Sequence, residues 1–263
     1  MRALEVFTRP MLAALGPRTP TMTRATDVRH TRAAVAAGFF LQGLVFAAIV
    51  TQAPRMQDRF DIGDGGLTGI LVLVAAVSGV GSVIAGTIAE RRSSAVAYRA
   101  ALVTIGLSAL LVALAPSAPL LVAAFAVYGL GVGGVDAGMN MQGVRVQEAY
   151  ERSIMASFHG MWSVGGILGA LYAAGVAEVD VPFTASLVAV AAVTLAVTAV
   201  AGRFFLDIRV DALDASTTVA PLAYGAYQGG ALISRSFLIP LATVPVVLLV
   251  ARSFRVSAAH QPV

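Results

Sequence analysis

Residues 118–140 read APLLVAAFAVYGLGVGGVDAGMN, and one ionisable residue, Asp136, interrupts the apolar run. A bilayer core about 30 Å thick takes roughly 20 apolar residues of helix, and this stretch meets that length. It lacks the strict alternation of barrel strands, which come in segments of about 10 residues. Backbone groups in lipid must pair within the segment, so the run predicts a transmembrane helix. Gly129, Gly131 and Gly134 formally match Gly-x-Gly-x-x-Gly. That fingerprint works by ending a strand and opening a helix whose N-terminus meets a pyrophosphate. Here it falls inside an apolar helix, so the spacing reads as close helix packing. Gly129 with Gly133, Gly134 with Gly138, Gly165 with Gly169, and Ser78 with Ser82 and Gly86 are small-xxx-small pairs of the kind that let backbones approach.

Working outward, runs 33–53, 66–89, 95–115, 153–177 and 181–205 share this character, making six spans. Two weaker runs follow at 217–234 and 237–251. Pro54, the 61–66 turn, Pro116 with Pro119, and Pro182 punctuate them. The chain is 58% hydrophobic and 12% charged, about half the charge of a soluble globule. The fold class is therefore all-α: a polytopic transmembrane helix bundle with the lipid bilayer as its first partner. It has no Cys, which removes disulfides and thiolate metal sites.

The net charge of +4 has a location. Residues 1–32 hold six Arg against Glu5 and Asp27, and the rest of the chain balances. A polar, disordered, Arg-rich cytoplasmic tail at 1–32 fits this pattern; a nucleic-acid partner would need a folded basic face. With the N-terminus inside, fifteen Arg fall on inside segments, and only Arg55, Arg59 and Arg235 fall outside. An even number of spans, six or eight, with both termini cytoplasmic is expected. Every basic residue is Arg, read as the codon usage of a GC-rich bacterium, which makes the bacterial inner (plasma) membrane the expected location.

Asp136 is the one acid well inside an apolar run, and intramembrane acids default to functional hypotheses. Two roles compete: a proton-coupling or substrate-binding carboxylate, or a cytoplasmic latch paired with Arg91 or Arg92. Asn140, Gln142, His159 and Trp162 cluster around the junction of spans four and five, and His159 is a secondary proton-relay candidate. No second His stands at metal spacing, so no metal site is expected. Gln42, Gln52 and Tyr128 are further polar groups in spans one and four. They suit either a hydroxylated solute or interhelical hydrogen bonds. Gly-x-Ser-x-Gly, His-Glu-x-x-His and a P-loop lysine are missing, so an enzyme is not expected, nor any cofactor.

Three stretches resemble the major facilitator superfamily, specifically a sugar-permease-like bacterial branch. Residues 38–54, from Gly38 through Gln42 and Gly43 to Pro54, resemble its first span. Gly86, Glu90 and Arg91 resemble its loop motif Gly-x-x-x-Asp-Arg-x-Gly-x-Arg, with Glu90 in the Asp position, Ser93 in the Gly position, and Ser94 and Ala95 in basic positions. Asp136, Asn140 and Gln142, then Phe158-His159-Gly160 and Gly165-Gly166, resemble its spans four and five. The resemblance implies a six-span transporter half at 33–205. It also implies a gating latch of Asp136 with Glu90, Arg91 and Arg92, and a substrate pathway drawn from Gln42, Tyr128, Asn140, Gln142, His159 and Trp162.

Such transporters have two six-span halves with substrate at the midplane between them. Residues 206–263 resemble an abbreviated second half with one or two helices and a cytoplasmic C-terminus. The expected function is secondary active transport of a small solute, a sugar or other polar metabolite, by alternating access, with a proton as candidate coupling ion. A homo-dimer would then complete the pathway. The alternative is a non-transporting membrane remnant or interaction module.

Overall fold

The computed structural model describes residues 25–207. The two weak spans and the proposed second-half remnant lie outside the described residues, except for its first two positions. Seven helices form: α1 (Ala25–Val50), α2 (Ala53–Phe60), α3 (Asp64–Arg91), α4 (Ser94–Leu114), α5 (Ala118–Tyr150), α6 (Met155–Glu178) and α7 (Phe183–Ala201), followed by a 3₁₀ turn, Gly202–Phe204. All but α2 are long and apolar enough to cross a membrane, and no strand occurs among the described residues.

Local chemistry sets several boundaries. Ser93 caps α4, its hydroxyl accepting the Val96 N–H at 3.3 Å. Pro54 and Pro119 sit in the first turns of α2 and α5, where a missing N–H costs nothing. Asp61 and Glu151 end α2 and α5 in the left-handed conformation, both with φ 51°. Two boundaries differ from expectation. α1 begins at Ala25, so the last part of the expected tail is helical, extending the first span on its polar side. α5 runs to Tyr150 rather than 140. At about 1.5 Å per residue its 33 residues span about 50 Å, well beyond the bilayer core. Asn140 and Gln142, expected near a loop, are therefore helical; the loop is 151–154.

The packing follows a swap between two triplets of spans, α1-α3-α4 and α5-α6-α7. α1 packs chiefly on α6, α5 on α3, and α4 on α7, while α4 and α5 join the triplets in the middle. Glycines line the α3–α5 and α1–α6 contacts. A Cβ on Gly133 would strike the carbonyl of Ser78, and one on Gly81 that of Leu130. Across α1 and α6, a Cβ on Gly43 would meet the Trp162 carbonyl, and Cβ atoms on Gly165 and Gly169 those of Phe40 and Leu44. Gly129, Gly133, Gly165 and Gly169 therefore lie at backbone-to-backbone approaches. Gly134 and Gly138 instead meet the Ala101 and Tyr98 side chains of α4, and Gly86 faces open space. The core between the triplets holds Phe39, Val45, Leu102, Ile105, Leu121 and Leu187, all fully buried.

α3 and α6 lie outermost. Val80, Val83 and Ile84 on α3, and Ile167, Leu168 and Leu171 on α6, are exposed, which suits lipid or another bundle. At one end α2 ties α1 to the start of α7. Arg55 donates to Gln52 Oε1 and the Val181 carbonyl, and Arg59 to Thr184 Oγ1 at 2.9 Å. Gln52 also accepts from Ser186 Oγ at 2.9 Å and donates to Ala48 O at 3.0 Å, so its amide holds helix ends together.

Candidate functional site

α1 and α5 cross where the chain places its buried acid. Gln42 Nε2 donates to Asp136 Oδ1 at 2.6 Å, joining residues 94 positions apart. Gln42 is 5% exposed and Asp136 half-buried. Asn140, one turn along α5, donates from Nδ2 to the Asp136 main-chain carbonyl at 2.7 Å. The pair is thus held from both helices.

Polar atoms around the pair remain unmatched. Among the described residues three buried side-chain polar atoms have no hydrogen-bond partner: Gln42 Oε1, Tyr98 Oη and Tyr128 Oη. The first belongs to the residue bonded to Asp136; Tyr128 shares α5 with that acid, and Tyr98 packs against Gly138, two residues along the same helix. Tyr128 stands two turns before Asp136 on α5, its ring edge-on to Phe125. Tyr98 comes from α4, its hydroxyl against Gly38 of α1 and its ring against Gly138 of α5 and stacked on Phe205. Buried polar groups are almost always satisfied, so three unmatched atoms near one acid stand out. Tyr98 escaped the sequence reading because it lies one turn into its span, beside Arg99, where a tyrosine reads as an interfacial anchor. Its neighbour Gly138, spaced for close approach, was the available signal.

The other expected site residues separate into different places. Gln142 is fully buried, with Nε2 donating to Ser94 Oγ at 2.9 Å and to Leu206 O at 2.8 Å, while its Oε1 accepts the Leu206 N–H at 2.8 Å. Its amide holds the main chain at Leu206 rather than facing Asp136. Ser94, in a basic position of the resembled motif, donates to the same Leu206 carbonyl at 3.3 Å. His159 approaches its own-helix carbonyl of Met155 at 3.2 Å and tilts against Phe39. Trp162 lies beside Phe46, and its carbonyl is the atom that Gly43 accommodates.

The expected latch does not form in this structure. Glu90, Arg91 and Arg92 are exposed at the end of α3, and the ion pair among the described residues is Arg145–Glu148 at 3.0 Å. Register gives the reason. Val74 faces Gly129, Ser78 faces Gly133, and Ala85 lies by Gly134, so α3 and α5 run parallel, with Asp136 level with the stretch 81–87. Arg91 is then roughly one to three turns further along the axis, while Asp136 is turned to Gln42 of α1.

The sequence profile of the Major Facilitator Superfamily matches residues 6–170. The chain belongs to this superfamily. Its relatives include a transporter of Sinorhizobium fredii, 29% identical over 136 residues, which are 52% of this chain and 36% of the relative. A transporter of Yersinia pestis described as of the superfamily's type is 34% identical over 136 residues, covering 50% of this chain and 34% of that protein. Membrane protein MosC of Rhizobium meliloti is 31% identical over 146 residues, covering 53% and 34%. The matched stretches thus span about a third of these relatives' lengths. As a superfamily member with six helices among the described residues long and apolar enough to cross a membrane, the chain is a multi-pass membrane protein.

Proposed function

We propose that this chain serves secondary transport of a small polar solute, such as a sugar, by alternating access, with Asp136 as the residue that takes up a coupling proton. The observation that carries this reading is the Gln42–Asp136 bond with its three orphan polar atoms. A carboxyl group can bind and release a proton, and Gln42 can follow either state by turning its amide, since Oε1 has no other partner. Gln42 and the Tyr128 hydroxyl offer a solute hydroxyl both donor and acceptor; Asn140 fixes the backbone beside them. A rocking mechanism needs a second bundle facing the first. The exposed faces of α3 and α6 suit such a body, supplied by further chain or by a second copy. We place the protein in a bacterial inner membrane with both termini cytoplasmic, on the arginine asymmetry.

The test is flux. Purified protein in liposomes is expected to move a sugar or similar solute faster under an inward proton gradient, and Asp136→Asn is expected to abolish that stimulation. Absence of flux under both conditions would refute the transport reading and favour a non-transporting membrane module.

A further inference from the structure

Two arginines from separate elements meet on one aromatic ring. Tyr150 ends α5, and the Arg32 guanidinium carbon, from α1, lies 5.0 Å from its ring centroid. Arg152, from the loop after α5, places its own at 6.0 Å. Stacking on a ring orients a guanidinium but uses none of its five N–H donors.

The two ends of the bundle use arginine differently. At the α2 end, Arg55 and Arg59 donate to protein oxygens. At the opposite end Arg145 takes Glu148, and Arg99 donates to the Ala95 carbonyl. The N–H groups of Arg32 and Arg152 have no protein acceptor among the described residues. Glu151 is exposed nearby and bonds neither of them. Two oriented, unmatched guanidinium forks therefore share one tyrosine ring, one from the first turns of α1 and one from the loop after α5.

We propose that Arg32, Arg152 and Tyr150 form a binding site for a phosphate group, supplied by an anionic lipid headgroup. Guanidinium matches phosphate oxygens in a planar two-point contact, and anionic lipids gather on the cytoplasmic leaflet. Free phosphate is the other source of the same chemistry. The site is separate from the Asp136 centre and does not depend on transport.

Native mass spectrometry on the delipidated full chain tests it, with phosphatidylglycerol, phosphate-free diacylglycerol and inorganic phosphate as probes. The wild type is expected to retain phosphatidylglycerol several-fold over diacylglycerol. Arg32→Ala and Arg152→Ala are each expected to lose that preference, while Arg203→Ala, exposed at the same end, keeps it. Arg32→Lys, which retains charge without the fork, is expected to weaken it and gives a readout if an alanine variant does not fold. Equal retention by wild type and the Arg32 and Arg152 variants would overturn the site, as would equal loss on Arg203→Ala. Displacement of phosphatidylglycerol by millimolar inorganic phosphate would overturn the lipid source.

Discussion

Asp136 has one side-chain partner, so Gln42 and the phenols near it can be told apart by what each loses on substitution. Gln42→Leu removes the 2.6 Å bond and leaves a buried carboxylate unmatched. We expect a loss of about 1–3 kcal/mol, read as a fall in the thermal unfolding midpoint in detergent. Tyr128→Phe deletes a hydroxyl that bonds nothing in the resting protein. Its stability is expected to stay unchanged while solute flux falls; a drop in stability equal to that of Gln42→Leu would place Tyr128 in the scaffold instead. At this scale Asp136, Gln42 and Tyr128 were legible in the sequence, because a polar group inside an apolar run is conspicuous. Gln142 was equally conspicuous and misread. The sequence shows a buried amide but not that the chain at Leu206 returns to meet it.

The elements were read well where apolar length decides and less well where it does not. All six spans were visible as runs, yet α5 continues ten residues past its apolar part as an amphipathic extension, since nothing between 140 and 150 breaks a helix. The glycine pairs were legible as packing signals, whereas their partners were not, because which helix approaches depends on the swap between triplets. Two substitutions separate these contributions. Gly133→Val drives a side chain into the Ser78 backbone, and is expected to cost several kcal/mol (roughly 3 or more), visible as lost folded yield. Gly86→Ala, in open space on α3, is expected to be neutral in the same assay. Gln142→Ala removes three hydrogen bonds, two to the Leu206 backbone and one to Ser94. A lower thermal unfolding midpoint in detergent, by about 1–3 kcal/mol of stability, is the expected result.

For the whole molecule, arginine placement predicts orientation. A chain with no Cys is ready for single-cysteine labelling. A cysteine at Ser153 is expected to resist a membrane-impermeant reagent added to intact cells, and one at Gly63 to react; the reverse pattern would invert the topology. The expected latch shows the limit of linear reading at this scale. Asp136 and Arg91 sit on adjacent helices, and only the parallel register of α3 and α5 reveals the distance between them.

The swapped triplets also impose an order on synthesis. α1 finds its main partner in α6, so Gly43 waits for Trp162, made 119 residues later. At 5–20 residues per second that is roughly 6–24 s. During that interval the glycine face of α1 is an unclosed seam, held by lipid or by the insertion machinery. α3, by contrast, meets α5 after about half that delay. The bundle therefore closes α3 on α5 before α1 on α6, and a nascent chain halted before α6 would carry its first helix without its main partner.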